Sequence, residues 1–445
     1  MYMKRDVKLI HISLLLVVLG GVLSFFTKQQ GYLHLREGET AIQFVKDDNY
    51  VSYLPFTAAL LDFEVVLKDT VPVDYVSHLK IEDQHRERVV QISMNRILKH
   101  TKSGVRLYQH SYDEDMRGTT LKVVKDKYGT FFVYVGYFLF IISMLQYILR
   151  QEKEKSVLKP KANKYAVLLL LPLVSAWCLV EFVQPEKIYA VFSCGRWEFC
   201  VALLFGLYGV VKRNYFNRDS LLPYISILII LFCVFMQFLL KWEAQSVMPL
   251  SNGADAMQFM AMVIMSGVII FLAPKNELVP YCLLASGFVL LVQYMAQSES
   301  ESMHVSPILL SPWLAAHVSV IMASYAMLLI ITVNSVVALF SRSKAVDMML
   351  LNKQLIRPAL LLLGTGIILG SLWANVSWGG YWNWDPKETW ALVTFLLFSV
   401  SVHTRLIRIL EKPVFYHFTI IIAFLSLLMT YFGVNYLFGG MHSYA

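Results

Sequence analysis

The sequence predicts a polytopic all-α integral membrane protein with about eleven transmembrane helices and one mostly β extracytoplasmic domain. Three observations carry that expectation. The 445 residues are 57% hydrophobic and only 16% charged, which is too apolar for a soluble chain of this size. Apolar runs near the ~20 residues that a bilayer demands recur along the chain. One block, residues 29–129, breaks the pattern with polar, mixed-charge segments such as Thr120-Leu-Lys-Val-Val-Lys125 and Phe63-Glu-Val-Val-Leu-Lys68. Alternation with β-branched residues, bounded by Asp, Gly and Pro, reads as strands.

Taken in order, the chain opens on the basic residues Lys4, Arg5 and Lys8, so its N-terminus is expected in the cytoplasm and its first helix to run outward. Residues 9–26 are long enough to span, and no small-residue cleavage site follows them, so they read as a retained helix. His11 lies at the cytoplasmic end of that helix. The β domain follows, of a usual single-domain size, and it holds no cysteine. Its histidines (His34, His78, His85, His100, His110) read as solvated surface residues. Ten further spans are expected at 131–149, 166–183, 199–211 with the residues before it, 221–240, 254–272, 279–296, 313–340, 358–373, 390–409 and 415–437. Alternate loops carry Arg150 to Lys161, then Lys212 to Arg218, Lys275, Arg342 to Lys353, and Arg405 to Lys412. The positive-inside rule then fits one topology, with the β domain, the tryptophan stretch at 373–390 and the C-terminal tail outside.

That tryptophan stretch holds five of the nine tryptophans, Trp373, Trp378, Trp382, Trp384 and Trp390, around Gly379-Gly380. An interfacial aromatic belt needs one or two such rings per helix end. This density favours a platform for a flat apolar ligand. Asp385-Pro386-Lys387-Glu388 has the pattern of a helix start: an Asp N-cap, Pro at the first position and Glu at the third. Asp385 and Glu388 also read as an acid/base pair, but capping explains them without catalysis and is preferred. His403 lies 18 residues after Asp385, about 27 Å along a continuous helix, near the depth expected of His11. His317 falls roughly 8 Å inside the span capped by Ser311-Pro312, and His442 follows the last span; both are expected near the tryptophan stretch. Two histidine pairs on opposite sides of a membrane suit bis-His ligation of haem. His417 and His304 are the decoys for the inner and outer pairs.

Other chemistry is excluded or weaker. The formal charge of +8 is placed by topology and does not indicate nucleic acid. Five cysteines with no CxxC rule out a zinc framework, and no P-loop is present. Cys194 and Cys200 read as a redox pair or as apolar packing.

Trp378-Gly-Gly-Tyr-Trp-Asn-Trp-Asp-Pro-Lys-Glu-Thr-Trp390 closely resembles the WWD motif of the haem-handling proteins of cytochrome c biogenesis, in particular the CcsA (ResC) branch of system II. Leu314-Ala-Ala-His317-Val, Val402-His403-Thr-Arg405 and Asn435-Tyr-Leu-Phe-Gly-Gly-Met-His442 match as well. Ile10-His11, Tyr108-Gln-His-Ser-Tyr-Asp-Glu-Asp-Met-Arg-Gly-Thr and Asp126-Lys-Tyr-Gly129 resemble the CcsB (ResB) partner. The whole is similar to the fused CcsBA cytochrome c synthases, in a compact form that starts at the histidine-bearing helix. The expected organisation is a first helix at 1–28, a β domain at 29–130, a closing helix at 131–150, helices of the CcsA-like part at 151–253, and a CcsA-like core at 254–445.

The resemblance implies a haem lyase that moves haem b to the outer side of the bacterial cytoplasmic membrane. There it forms thioethers between the haem vinyl groups and the Cys-x-x-Cys-His segment of an apocytochrome c, with thiol-reducing partners. It implies that His317 and His442 ligate iron outside and His11 and His403 inside. It also implies that Trp373, Trp378, Trp382, Trp384 and Trp390 bind haem, and that Trp378, Trp382, Trp384 and Asp385 act in the reaction with the outer histidines. A haem exporter or chaperone without lyase activity is the alternative. A dihaem electron-transfer protein fits less well, because such proteins usually place both ligands of a haem within helices.

Overall fold

The computed structural model describes residues 5–68, 71–83, 86–154, 166–182, 197–216, 218–245, 247–300, 309 and 311–438. The chain divides into two compact units. The first comprises Met1–Arg150, His304–Leu314 and Ile368–Asn383, and the second the remaining segments.

In the first unit, α1 (Arg5–Thr27) leads into eight strands. These are β1 (Gln29–Arg36), β2 (Thr40–Lys46), β3 (Val51–Lys68), β4 (Val71–Asp83), β5 (Arg86–Ile92), β6 (Leu98–His100), β7 (Val105–Tyr112) and β8 (Gly118–Lys125). They form one antiparallel sheet in the order β5-β4-β3-β2-β1-β8-β7-β6. Strict alternation on β1 turns Leu33 and Leu35 inward and Tyr32 and His34 outward, the period-2 signature of a half-buried strand. The core is aliphatic and aromatic: Phe44, Phe56, Leu60, Leu79, Ile81, Ile92, Leu107 and Leu121. Bulges interrupt β2–β3 and β3–β4 pairing and bend the long strands. As a result Ser77 of β4 donates to Gln109 of β7 at 2.7 Å and to Thr119 of β8 at 3.1 Å. Those strands are far apart in sheet order, so the sheet curls into a barrel-like body around satisfied interior polar groups.

The chain leaves β8 through α2 (Tyr128–Glu154), which packs against α1. A Cβ on Gly20 would come 2.6 Å from Val133, and one on Gly136 2.7 Å from Val17. Small residues therefore set this close helix crossing, as they do between membrane helices. The rest of α1 presents Leu15, Val18, Phe25 and Phe26 outward, the face a bilayer would cover. Asp6 pairs with Arg150 at 2.9 Å, tying the cytoplasmic ends expected of the two helices.

The second unit holds α3 (Leu170–Phe182), α4 (Glu198–Phe216), α5 (Leu222–Gln245), α6 (Gly253–Phe271) and α7 (Val279–Ser300). It also holds most of α8 (Pro312–Phe340) and α9 (Ala345–Ser377), then α10 (Pro386–Val400), α11 (Pro413–Leu428) and α12 (Val434–Leu437). Buried polar groups between α8 and α9 bond one another: Asn334 donates to Asn352 at 2.8 Å, and Asn352 donates to Ser335 at 2.8 Å.

Among the described residues, eight helices are long and apolar enough to cross a membrane. The expected spans at α3, α4 and α10 are helical but fall below that length or apolarity. Three expected spans differ in character from the sequence reading. The helix α9 starts at Ala345 and runs through Pro358, because proline's missing N–H costs one backbone bond without ending the helix. Helix α10 ends at Val400, where the Ser401 hydroxyl donates to the Phe398 carbonyl at 2.6 Å. The last expected span is interrupted by a π turn at Met429–Gly433.

Candidate functional site

The tryptophan stretch begins as the last turn of α9 and is divided between the two units after Asn383. Its first half is built into the barrel-bearing unit. Trp373 is buried at 1% exposure, and its ring meets Trp378 edge-on with centroids 4.7 Å apart. The helix stops where Gly379 takes φ +75°, the left-handed conformation that commonly ends helices and that glycine adopts at least cost. A Cβ there would also lie 2.9 Å from Val124 and 3.1 Å from Tyr108, so both backbone and packing require glycine.

Hydrogen bonds from the barrel and α2 hold this half in place. Lys122 Nζ donates to the Trp378 carbonyl at 3.0 Å. Arg106 donates through Nη1 to Asn375 Oδ1 at 2.8 Å, and through Nη2 to Thr130 Oγ1 at 2.8 Å and the Asp126 carbonyl at 3.2 Å. Asn375 in turn donates to the Tyr134 hydroxyl at 2.6 Å. The Tyr381 hydroxyl lies 3.4 Å from the Asp126 carboxylate, which also accepts from Ser24 at 2.8 Å. Burial pushes the Tyr381 hydroxyl up to about 12, so it stays protonated as a donor. Trp382 is half-buried in the same unit.

The second half belongs to the other unit. Trp384 is 71% exposed and has φ +56°, a conformation bulky residues rarely adopt. Asp385 caps α10 by accepting from Lys387 N at 2.9 Å, while Glu388 accepts from Asp385 N at 3.3 Å. Both carboxylates are thus engaged in the capping box that the Asp-Pro-Lys-Glu pattern predicts. Lys387 Nζ donates to Asn435 at 2.8 Å, and Trp390 is half-buried in the first turns of α10.

Three of the four expected ligand histidines lie among the described residues, and they share one arrangement. His317 Nδ1 is 2.7 Å from the Gly366 carbonyl. His11 Nδ1 is 2.7 Å from the Val7 carbonyl, and His403 Nδ1 is 2.8 Å from the Ser399 carbonyl. A carbonyl only accepts, so Nδ1 carries the proton in each neutral ring and Nε2 is the lone-pair nitrogen. This is how proteins commonly fix the tautomer of a metal-binding imidazole. Close packing makes the His317 contact possible, since a Cβ on Gly366 would lie 2.5 Å from Ile321. The decoy His417 differs. It is fully buried, with Nδ1 3.1 Å from Ser335 Oγ and Nε2 3.1 Å from the Ala345 carbonyl, so both nitrogens are committed to packing.

His403 does not sit 18 residues along a continuous helix. The helix ends at Val400, and His403 occupies the turn that follows. His442, His304 and Cys194 lie outside the described residues. Cys200 is exposed on α4. His11 and the tryptophans to Trp382 fall in the first unit, and His317, Trp384, Asp385, Trp390 and His403 in the second. Sequence reasoning gave no anchoring role to Arg106, Lys122, Asp126 or Gly366, whose partners are remote in the chain.

Residues 201–442 match the family model described as cytochrome C assembly protein. The chain belongs to that family. Residues 7–169 match the ResB-like family model, so both halves expected of a CcsBA-type fusion are present. The cytochrome c biogenesis protein CcsA of Chlamydomonas reinhardtii is 31% identical over 261 residues, 54% of this chain and 72% of that protein. CcsA of Marchantia polymorpha is 28% identical over 329 residues, 60% of this chain and 99% of its own length. Protein NrfI of Wolinella succinogenes is 34% identical over 215 residues, 44% of this chain. That match spans only 23% of NrfI. Membership places the chain in cytochrome c biogenesis. It also shows that Ile368–Asn383, inside the assembly-protein match, folds with the ResB-like region.

Proposed function

We propose that this chain binds haem at the tryptophan stretch, moves it from the inner to the outer side of a bacterial cytoplasmic membrane, and joins it covalently to an apocytochrome c. The supporting observation is the Nδ1–carbonyl contact shared by His11, His317 and His403, which makes Nε2 the lone-pair nitrogen of each neutral ring. In this reading His317 and His442 ligate haem b on the outer side, and His11 and His403 ligate it on the inner side. The aromatic faces of Trp373, Trp378, Trp382, Trp384 and Trp390 hold the macrocycle. α3, α4 and α10 also cross the bilayer, for eleven spans with the N-terminus cytoplasmic. The barrel at 29–130 then stands outside, between the helices at 1–28 and 131–150; the 151–253 helices and the 254–445 core complete the CcsA-like part.

The reaction is an addition. Each thiol of the Cys-x-x-Cys-His segment adds S–H across a haem vinyl group, forming one C–S and one C–H bond with no leaving group and no net oxidation. Positioning is what the site contributes, while reducing partners keep the thiols free. Trp378, Trp382, Trp384 and Asp385 shape the place where vinyl and thiol meet.

The test is ligand removal. His317→Ala and His442→Ala abolish cytochrome c maturation, and added imidazole restores part of it. His11→Ala and His403→Ala lower the haem that co-purifies with the chain. Undiminished maturation in both outer variants contradicts the outer site, and unchanged haem content contradicts the inner one.

A further inference from the structure

Where the barrel meets α2, basic side chains line a cleft of about 290 Å³. The register puts the β6–β7 turn at this end, since Val105 pairs with Lys125, the last residue of β8. Three residues later, at Tyr128, α2 begins, a helix long and apolar enough to cross a membrane. The turn sits against that junction: a Cβ on Gly104 would come 3.2 Å from the Lys127 Cβ. Lys99, His100, Arg106 and Lys127 line the cleft together with Asp126 and Phe131.

Charge is not balanced within it. Lys99 lies directly opposite Arg106 in the β6–β7 pair, and like charges in that position repel. The Arg106 guanidinium donates to Asn375, Thr130 and the Asp126 carbonyl, all neutral acceptors. Among the described residues, neither Lys99 nor Lys127 has a carboxylate oxygen within 4.0 Å. Asp126 is the one carboxylate lining the cleft. Its oxygens already accept from Ser24 at 2.8 Å, from Gly129 N at 3.1 Å and from Thr130 at 3.3 Å. The nearby Asp83 is shared by His100 and Lys102. Lys99, Arg106 and Lys127 thus face a single buried acid.

The place of the cleft narrows the ligand. Tyr128 and Phe131, in the first turn of α2, are both well exposed, as aromatic rings are where a helix enters the membrane interface. The cleft therefore opens at the depth of lipid headgroups. Lysine and arginine near that surface attract anionic headgroups, and their hydrogen bonds to phosphate are charge-assisted.

We propose that this cleft binds the phosphate of an anionic phospholipid headgroup, with Lys99 and Lys127 as its main ligands and Arg106 as its floor. Arg106 keeps its bonds to the tryptophan loop, so binding rests on the two lysines, which hold no part of that loop.

The experiment places the full chain in phosphatidylcholine nanodiscs with a trace of phosphatidylglycerol that carries a photoreactive group near its headgroup. After illumination, the label is located by peptide mass spectrometry. Wild type is labelled at residues 99–104 and 126–131 about tenfold more strongly than by phosphatidylcholine carrying the same group. The Lys99→Gln/Lys127→Gln double variant loses that excess and keeps its labelling elsewhere on the chain, while Lys99→Arg/Lys127→Arg retains the excess. Unlabelled phosphatidylglycerol competes and inorganic phosphate does not. Equal labelling by the two lipids, or an undiminished excess in the Gln variant, overturns the inference. Displacement of the label by inorganic phosphate overturns the lipid as the source and makes the cleft a site for soluble phosphate.

Discussion

Trp384 combines two unfavourable properties: a φ of +56° and 71% exposure. An L-residue in the left-handed region costs roughly 1–2 kcal/mol, and little burial offsets it here. Strained positions of this kind cluster at ligand sites. Trp384→Gly is therefore expected to raise stability by about 1 kcal/mol in denaturant unfolding while lowering bound haem. A destabilised variant with normal haem content would show that the residue serves packing. At this scale the sequence was legible where the signal is local. Asp385 and Glu388 cap α10 because their spacing from Pro386 is a local pattern. The Gly366 carbonyl that orients His317 could not be read, since it depends on how closely α8 and α9 approach, and only the folded glycine shows that.

At the scale of elements, the loop carrying Trp378 is fixed by β7, β8 and α2. Arg106 is central, with Asn375, Thr130 and the Asp126 carbonyl all on its guanidinium. Arg106→Ala leaves those groups short of partners and is expected to cost about 2–3 kcal/mol of stability. It should also lower maturation while leaving the purified protein monodisperse. Arg106→Lys restores little, because an ammonium cannot reproduce the planar fork. Full activity in Arg106→Ala would remove it from any positioning role. A second element-level prediction concerns Asp83, whose carboxylate lies 3.3 Å from His100 and 3.6 Å from Lys102. The hydrogen bond from His100 holds this carboxyl below its ordinary range. Its contribution is therefore present above the unfolded carboxyl's pKa of about 4 and is lost as pH falls through the lower folded value. In thermal melts Asp83→Asn should trail wild type at neutral pH, with the gap closing at strongly acid pH. Strand alternation and most apolar helices were readable because period-2 and long apolar runs are intrinsic to the sequence. The end of α10 was not, since Val400-Ser-Val-His403 stays apolar enough to continue and only the Ser401 turn stops it.

For the whole molecule, the informative fact is how the two family matches share the fold. The ResB-like region, residues 7–169, carries the barrel and its two helices. Residues 368–383 of the assembly-protein region fold with it, and the motif passes to the other unit at Trp384. The barrel is thus part of the framework of the tryptophan stretch, which gives a physical reason for one chain to carry both families. Reading the motif in the sequence identified the family; it did not reveal this division, because the anchors Arg106, Lys122 and Asp126 lie some 250 residues upstream of what they hold. The central claim is that this single chain attaches haem to a cytochrome. It is tested by expressing the chain with an apocytochrome c in a host that lacks its own synthase, then staining the cytochrome for covalently bound haem after denaturing electrophoresis. Covalent haem on the cytochrome, lost in His317→Ala, is the expected result. A haem-loaded chain beside an unmodified apocytochrome would contradict the lyase claim and leave transport alone.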